Sequence, residues 1–162
     1  MTYEEREKRF SRELEMRKRD AFYWMPPSGE SLADVALRVD YIIGSLQHAK
    51  LRPSSAIIVT HFNVMQVFRT RIERIRQSQF VQKLIQVPEE LKIKNGSVIH
   101  YTRKDPFTGK IDDTYTWRRI ITPWRTDIET GKWAKIEYNY LSNGDILKEL
   151  NEKQQRTLTN FE

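Results

Sequence analysis

Ala56-Ile57-Ile58-Val59-Thr60-His61 is the stretch on which the reading of the fold turns. Its run of apolar and β-branched residues suits a strand covered on both faces, as in a parallel sheet, better than a half-exposed antiparallel one. Upstream, Leu32, Val35, Ala36, Val39, Ile42, Ile43 and Leu46 recur at spacings of three and four. That periodicity predicts a helix from about Ser31 to Gln47 with one apolar stripe. Ser31 and Asp34 stand three apart at its start, the spacing of a capping pair whose acidic member also suits the positive helix end. Arg52-Pro53-Ser54-Ser55 then breaks the pattern. Downstream, Val64, Val67, Phe68, Ile72 and Ile75 predict a second amphipathic helix, with Arg69, Arg71, Glu73, Arg74 and Arg76 largely outside its stripe. Helix, parallel strand and helix in succession make an α/β layer. His61 falls at the strand-to-helix junction, where backbone N–H groups gather and anions bind.

The order and spacing of these pieces resemble the histidine phosphatase superfamily, the phosphoglycerate-mutase-like phosphatases and mutases. The resemblance rests on Ser28-Gly29-Glu30-Ser31 opening a helix that contains Arg38-Val39, followed by Ile58-Val59-Thr60-His61 and then Val64-Met65. Met1-Thr2-Tyr3-Glu4-Glu5 and Phe22-Tyr23 look like the segment before the Gly-Glu-Ser helix in fructose-2,6-bisphosphatase-like members. Asn95-Gly96-Ser97-Val98 looks like the late strand of the family. The fold so implied is α/β, a partial phosphoglycerate-mutase-like three-layer arrangement with a parallel strand flanked by helices and a C-terminal β-hairpin extension. Residues 1–104 would form the C-terminal part of the phosphatase-like domain, and 105–162 a hairpin and extension packed on it.

The resemblance also implies chemistry. Members hydrolyse phosphomonoesters through a phosphohistidine, and the substrate here would be a sugar phosphate, a small metabolite or a phosphoprotein. His61 matches the histidine that donates to phosphoryl oxygens and stabilises developing charge. Glu30, Tyr23, Trp24 and Asn63 are the candidate substrate-binding residues, although Glu30 equally suits support of the helix start. Neither a cofactor nor a metal is implied, because histidine and arginine side chains carry the charge stabilisation. The pattern departs from the family at Phe62, often glycine, and at Gln66, where many members have arginine; both changes fall where they would reshape the pocket.

Family members begin with a strand ending in Arg-His-Gly, whose histidine is phosphorylated, and that tripeptide occurs nowhere in this sequence. The expectation is therefore a truncated domain, the C-terminal portion of a phosphatase fold. It would expose the strand at 56–60 and either self-associate as a homo-oligomer or bind a complementing N-terminal segment. The alternative is a noncatalytic interaction module, a pseudo-phosphatase that binds an anionic partner.

Composition sets outer bounds. The chain has 162 residues, 38% hydrophobic and 31% charged, with no cysteine. A disulfide framework and thiolate chemistry are thereby excluded, and a reducing, cytoplasmic setting fits. No apolar run is long enough to span a bilayer, so no membrane partner is expected. The net charge of +6 attracts polyanions without specificity. No nucleic-acid recognition motif accompanies it, and the basic residues between Arg6 and Arg19 alternate with glutamates as on a solvated helix. Ser97 to Thr102 and Thr114 to Arg118, separated by Asp105-Pro106-Phe107-Thr108-Gly109, predict an antiparallel hairpin. Trp117, Trp124 and Trp133 are expected to anchor the extension on its own domain, and Asp145 to Gln154 to form a short helix before a frayed end.

Overall fold

The computed structural model describes residues 2, 5, 8–48, 55–76, 79–138 and 142–158. The Arg52-Pro53-Ser54 break and most of the Met1 to Glu5 segment lie outside them. A solvated helix, α1 (Ser11–Arg19), buries none of its residues; Glu13 in its first turn and Arg17, Lys18 and Arg19 in its last complement the helix dipole. The two periodic segments then form α2 (Leu32–Gln47) and α3 (Phe62–Ile72). The start of α2 is the predicted capping box. Ser31 Oγ accepts the Asp34 N–H at 3.1 Å while Asp34 Oδ2 accepts the Ser31 N–H at 3.0 Å. Hydrogen bonds from Ser31 hold the Asp34 carboxyl below its ordinary pKa.

The apolar stripes of α2 and α3 meet. Ala36 and Val39 share one core with Val67, Phe68 and Ile75, and Phe22, Phe80 and Leu84 close it from the flanking turns. Phe22 is drawn in by its carbonyl, which accepts the Ala33 N–H at 3.1 Å, and by its ring, which stands edge-on to Phe80. After α3 the chain passes through a π-helical turn (Val81–Ile85) and a 3-10 turn (Glu89–Leu91). Glu89 gathers Lys92, Lys94 and Arg125 around its carboxylate, and these hydrogen bonds, that of Lys92 foremost, pull its pKa down to about 2.

The sheet follows. Strands β1 (Val98–Thr102), β2 (Trp117–Ile121) and β3 (Ala134–Lys135) are antiparallel in the order β1-β2-β3, with His100 opposite Arg119 and Tyr101 opposite Arg118. Asp105 makes the turn, its Oδ1 accepting the N–H groups of Phe107 at 2.8 Å and Thr108 at 3.0 Å. Gly109 supplies the positive φ of 75° that closes it. The predicted hairpin therefore forms, but its second strand lies three residues later than the composition suggested. Residues 114–116 do not pair, and the register instead places Tyr101 and Arg118 side by side on one face. The last helix, α4 (Asn143–Leu158), is longer than expected at both ends, opened by a second capping box between Ser142 and Asp145.

Two expectations need correction. Residues 55–60 run without strand pairing, Ile57 is 94% exposed and Val59 93% exposed. The mixed α/β class and the hairpin stand, but the parallel strand and the layers around it are not assembled among the described residues. A β-strand needs a neighbour for its backbone groups, and the described β-pairing, in the sheet and in the bridge between Lys104 and Ile111, is antiparallel and does not include 55–60. Arg69 and Glu73, which the spacing put outside the apolar stripe, are also buried, at 2% and 8% exposure. Apolar periodicity marks where hydrophobic side chains go. It is blind to polar ones that another element covers.

Candidate active site

The candidate residues fall into two groups, each at the start of a packed helix. His61 is the N-cap of α3, in an extended backbone conformation (φ −87°, ψ 160°), with an exposed side chain that makes no capping hydrogen bond. Its carbonyl accepts the Met65 N–H at 2.9 Å and so begins the helix. The preceding N–H groups of that turn, including that of Asn63, have no intrahelical acceptor and point toward the terminus, the arrangement that attracts anions. Asn63 is exposed in the same turn.

The second group surrounds the start of α2. Glu30 precedes the capping serine and is gripped by Arg38, with Nη2 donating to Oε2 at 2.7 Å and Nη1 to Oε1. That pairing lowers the Glu30 pKa. Since both side chains are more than half exposed, the pair contributes little to stability. The helix start is capped by Ser31 and Asp34 rather than by Glu30. Tyr23 is 56% exposed, and Trp24 lies beneath the Arg17 guanidinium at 5.6 Å. Both are in a turn pinned by Asp20, whose Oδ1 accepts the Tyr23 N–H and whose carbonyl accepts the Trp24 N–H. In the following turn the glycine has a steric reason. A Cβ on Gly29 would come within 2.5 Å of Pro26 Cγ, so the Gly-Glu-Ser start could keep its shape with a larger residue only by displacing the proline ring. Among the described residues, no hydrogen bond or ion pair joins the Glu30 group directly to the His61 group.

Gln66, expected to reshape the pocket, is instead turned into the core. It is 2% exposed and donates through Nε2 to the Leu84 carbonyl at 2.9 Å. His48 and His100 lie elsewhere. His48 ends α2, and His100 sits on the hairpin with Nδ1 accepting from Arg119 Nε at 3.3 Å, beside the Trp133 ring. Burial and the neighbouring arginine lower the His100 pKa. Of the three tryptophans, Trp124 and Trp133 reach residues before 105, Trp124 donating to the Asn95 carbonyl at 2.7 Å and Trp133 lying beside His100, while Trp117 meets Phe107 within the extension.

Sequence reasoning missed a buried polar cluster that joins α3 to the hairpin. Glu73 Oε1 accepts from Arg69 Nε at 2.9 Å and from the Tyr101 hydroxyl at 2.7 Å, while Oε2 accepts from Arg118 Nε at 3.1 Å. Burial, followed by the Glu73 carboxylate, pushes the Tyr101 phenol well above its ordinary pKa, which keeps it a donor. Arg69 and Glu73 at i and i+4 were the available signal.

With this geometry in place, comparison with known families is decisive at the class level. Residues 1–105 match the histidine phosphatase superfamily (branch 1), and the chain belongs to that superfamily. Membership supports a phosphatase-like function at that level. No curated protein sequence matches the chain. Among the described residues, no helix is long and apolar enough to cross a membrane.

Proposed function

We propose that this chain is the His61-bearing part of a phosphomonoester hydrolase that works through phosphohistidine. The observation that carries the proposal is His61 itself, whose imidazole is exposed at the N-cap position of a helix in a member of this superfamily. Asp40 of α2 grips Arg71 of α3 through two hydrogen bonds of 2.6 and 2.5 Å, and Ile43 and Ile75, further along each segment, line the same recess, so the two helices run side by side in the same sense. Helices paired in that sense bring their N-termini toward one end. Glu30, Tyr23 and Trp24 then stand on one side of a substrate whose phosphoryl group meets His61, Asn63 and the free N–H groups of the α3 terminus. The substrate is a phosphorylated small molecule or a phosphoprotein.

In the proposed reaction, a histidine from an Arg-His-Gly strand outside these residues attacks phosphorus, the ester oxygen leaves as the alcohol with a proton, and water then cleaves the phosphorus–nitrogen bond. His61 hydrogen-bonds the phosphoryl oxygens in both steps. The missing tripeptide favours a second reading, in which the fold only binds an anionic partner. Assay of p-nitrophenyl phosphate separates the two. The 162 residues alone should give negligible turnover, and the same residues joined to an upstream Arg-His-Gly strand should give robust turnover; no gain on joining would favour the binding module.

The exposed segment 55–60 supports the incomplete-sheet part of this reading. Burying one such side chain is worth roughly 1.5–3 kcal/mol, so Ile57 and Val59 together favour any partner that covers them. The chain alone should bind a hydrophobic dye and self-associate with concentration, and both effects should diminish when the upstream half is supplied. A monomer at all concentrations, with no dye binding, would show that the segment needs no partner.

A further inference from the structure

The register of the hairpin sorts its side chains onto two faces. Residues directly opposite each other on paired strands share a face, and neighbours along a strand alternate. Tyr101 and Arg118 are opposite each other and turn inward to Glu73. His100 with Arg119, and Trp117 with Lys135, therefore stand on the outer face, in two rows about 6.7 Å apart. Trp133 joins them, since its ring meets that of His100 at 5.1 Å between centroids and lies 4.5 Å from the Arg119 guanidinium. Phe107 stands edge-on to Trp117 and is 74% exposed. With His100 and Lys135 exposed as well, this face is open to solvent.

Arg119 gives the face its charge. Its Nε donates to His100 Nδ1 at 3.3 Å, and its Cζ lies over the Trp133 ring. Both partners are uncharged near neutral pH, because burial and then the arginine itself hold the His100 pKa below its ordinary value. They orient the guanidinium without neutralising it. Among the described residues no carboxylate pairs with Arg119, and its two Nη groups remain to donate together to an oxyanion. With Nδ1 accepting, the ring hydrogen of His100 sits on Nε2, a further donor on the same face. Lys135 differs, since Asp105 lies near it.

We propose that this outer face binds single-stranded nucleic acid, with a backbone phosphate held by Arg119 and His100 and a base stacked on the Trp117–Phe107 pair one row away. An oriented, uncompensated cation beside exposed aromatic rings matches a polymer that alternates anions with planar rings. Sheet faces carrying aromatic and basic residues bind single strands in this way in unrelated folds. The net charge of +6 favours a polyanion over an isolated anion. No sequence motif marks the surface, because His100, Phe107, Trp117, Arg119 and Trp133 meet only through strand register and the Asp105 turn. The face includes neither His61 nor the segment 55–60, so it needs no completed sheet.

Fluorescence anisotropy tests this with labelled oligouridine and oligothymidine of ~12 nucleotides, a length within the span of known single-strand sites, and with a duplex of the same length. Each is titrated with the 162-residue chain at physiological ionic strength. At least one single strand should bind saturably and about tenfold or more tighter than the duplex, whose bases are already stacked and paired. Arg119→Gln should weaken that binding and reduce the slope of log K against log salt by about 0.7, the loss of one phosphate contact. Phe107→Ala should weaken it about fivefold, the lower end for loss of one stacked base, with the salt slope unchanged. Phe107 is exposed, so its variant tests the face even if Arg119→Gln lowers stability. Lys83→Gln removes the same charge from the π-helical turn after α3 and should change binding less than twofold. The proposal is overturned if neither strand saturates, if the duplex binds as tightly, if Phe107→Ala binds like the parent, or if Lys83→Gln weakens binding as much as Arg119→Gln. Binding lost with His61→Ala but kept with Arg119→Gln and Phe107→Ala would place the strand at the start of α3 and overturn it too.

Discussion

Replacing Glu73 with alanine is expected to destabilise the protein by about 3–5 kcal/mol, the scale for removing one partner of a buried ion pair. The carboxylate is the common acceptor for Arg69, Arg118 and the Tyr101 hydroxyl, so its loss leaves two guanidinium groups and a phenol facing one another without an anion. Arg69 Nη1 has no partner among the described residues even in the intact cluster, so little spare acceptor capacity is nearby. At this chain length each kcal/mol shifts the melting temperature by roughly 2–4 °C. Urea unfolding followed by tryptophan emission would register the change, because Trp117 and Trp133 lie on and beside the hairpin that Glu73 holds to α3. Glu73→Gln keeps an acceptor without the charge and should fall between parent and alanine variant. A loss below about 1 kcal/mol for Glu73→Ala would mean that apolar packing, around residues such as Ile93, Ile120 and Ile136, holds the hairpin in place by itself.

What the sequence made legible was local. The α2 stripe and its Ser31–Asp34 box are encoded within a single turn or by strict periodicity, and they appear where the spacing put them. The Asp105 to Gly109 turn is equally local, since one carboxylate and one glycine determine it. Long-range partnership was harder to read. Ile57, Ile58 and Val59 have the composition of a buried strand, yet burial also needs neighbours, and none is present among the described residues. Arg69 and Glu73 carry charges that normally face water, and only the arrival of Arg118 and Tyr101, 45 and 28 residues beyond Glu73 in sequence, makes their burial tolerable. For the site, the position of His61 at a helix start was legible from the residues around it. The Arg38 grip on Glu30 and the withdrawal of Gln66 into the core depend on side-chain geometry that no motif records.

The second large effect concerns His61, and its measurement bears most directly on the phosphohistidine reading. In a protein that joins an upstream Arg-His-Gly strand to these residues, His61→Ala should lower kcat/KM for p-nitrophenyl phosphate by about 10²-fold or more, the loss that follows removal of one preorganised donor to a developing oxyanion. The donor acts where charge builds up during transfer, so the loss should appear in kcat as well as in kcat/KM. Stability should change little, because the imidazole is exposed and makes no capping bond. A drop of two orders of magnitude in a protein that melts like its parent is the predicted result. A change of less than a few-fold, or an equal fall explained by unfolding, would contradict the placement of His61 at the phosphoryl group.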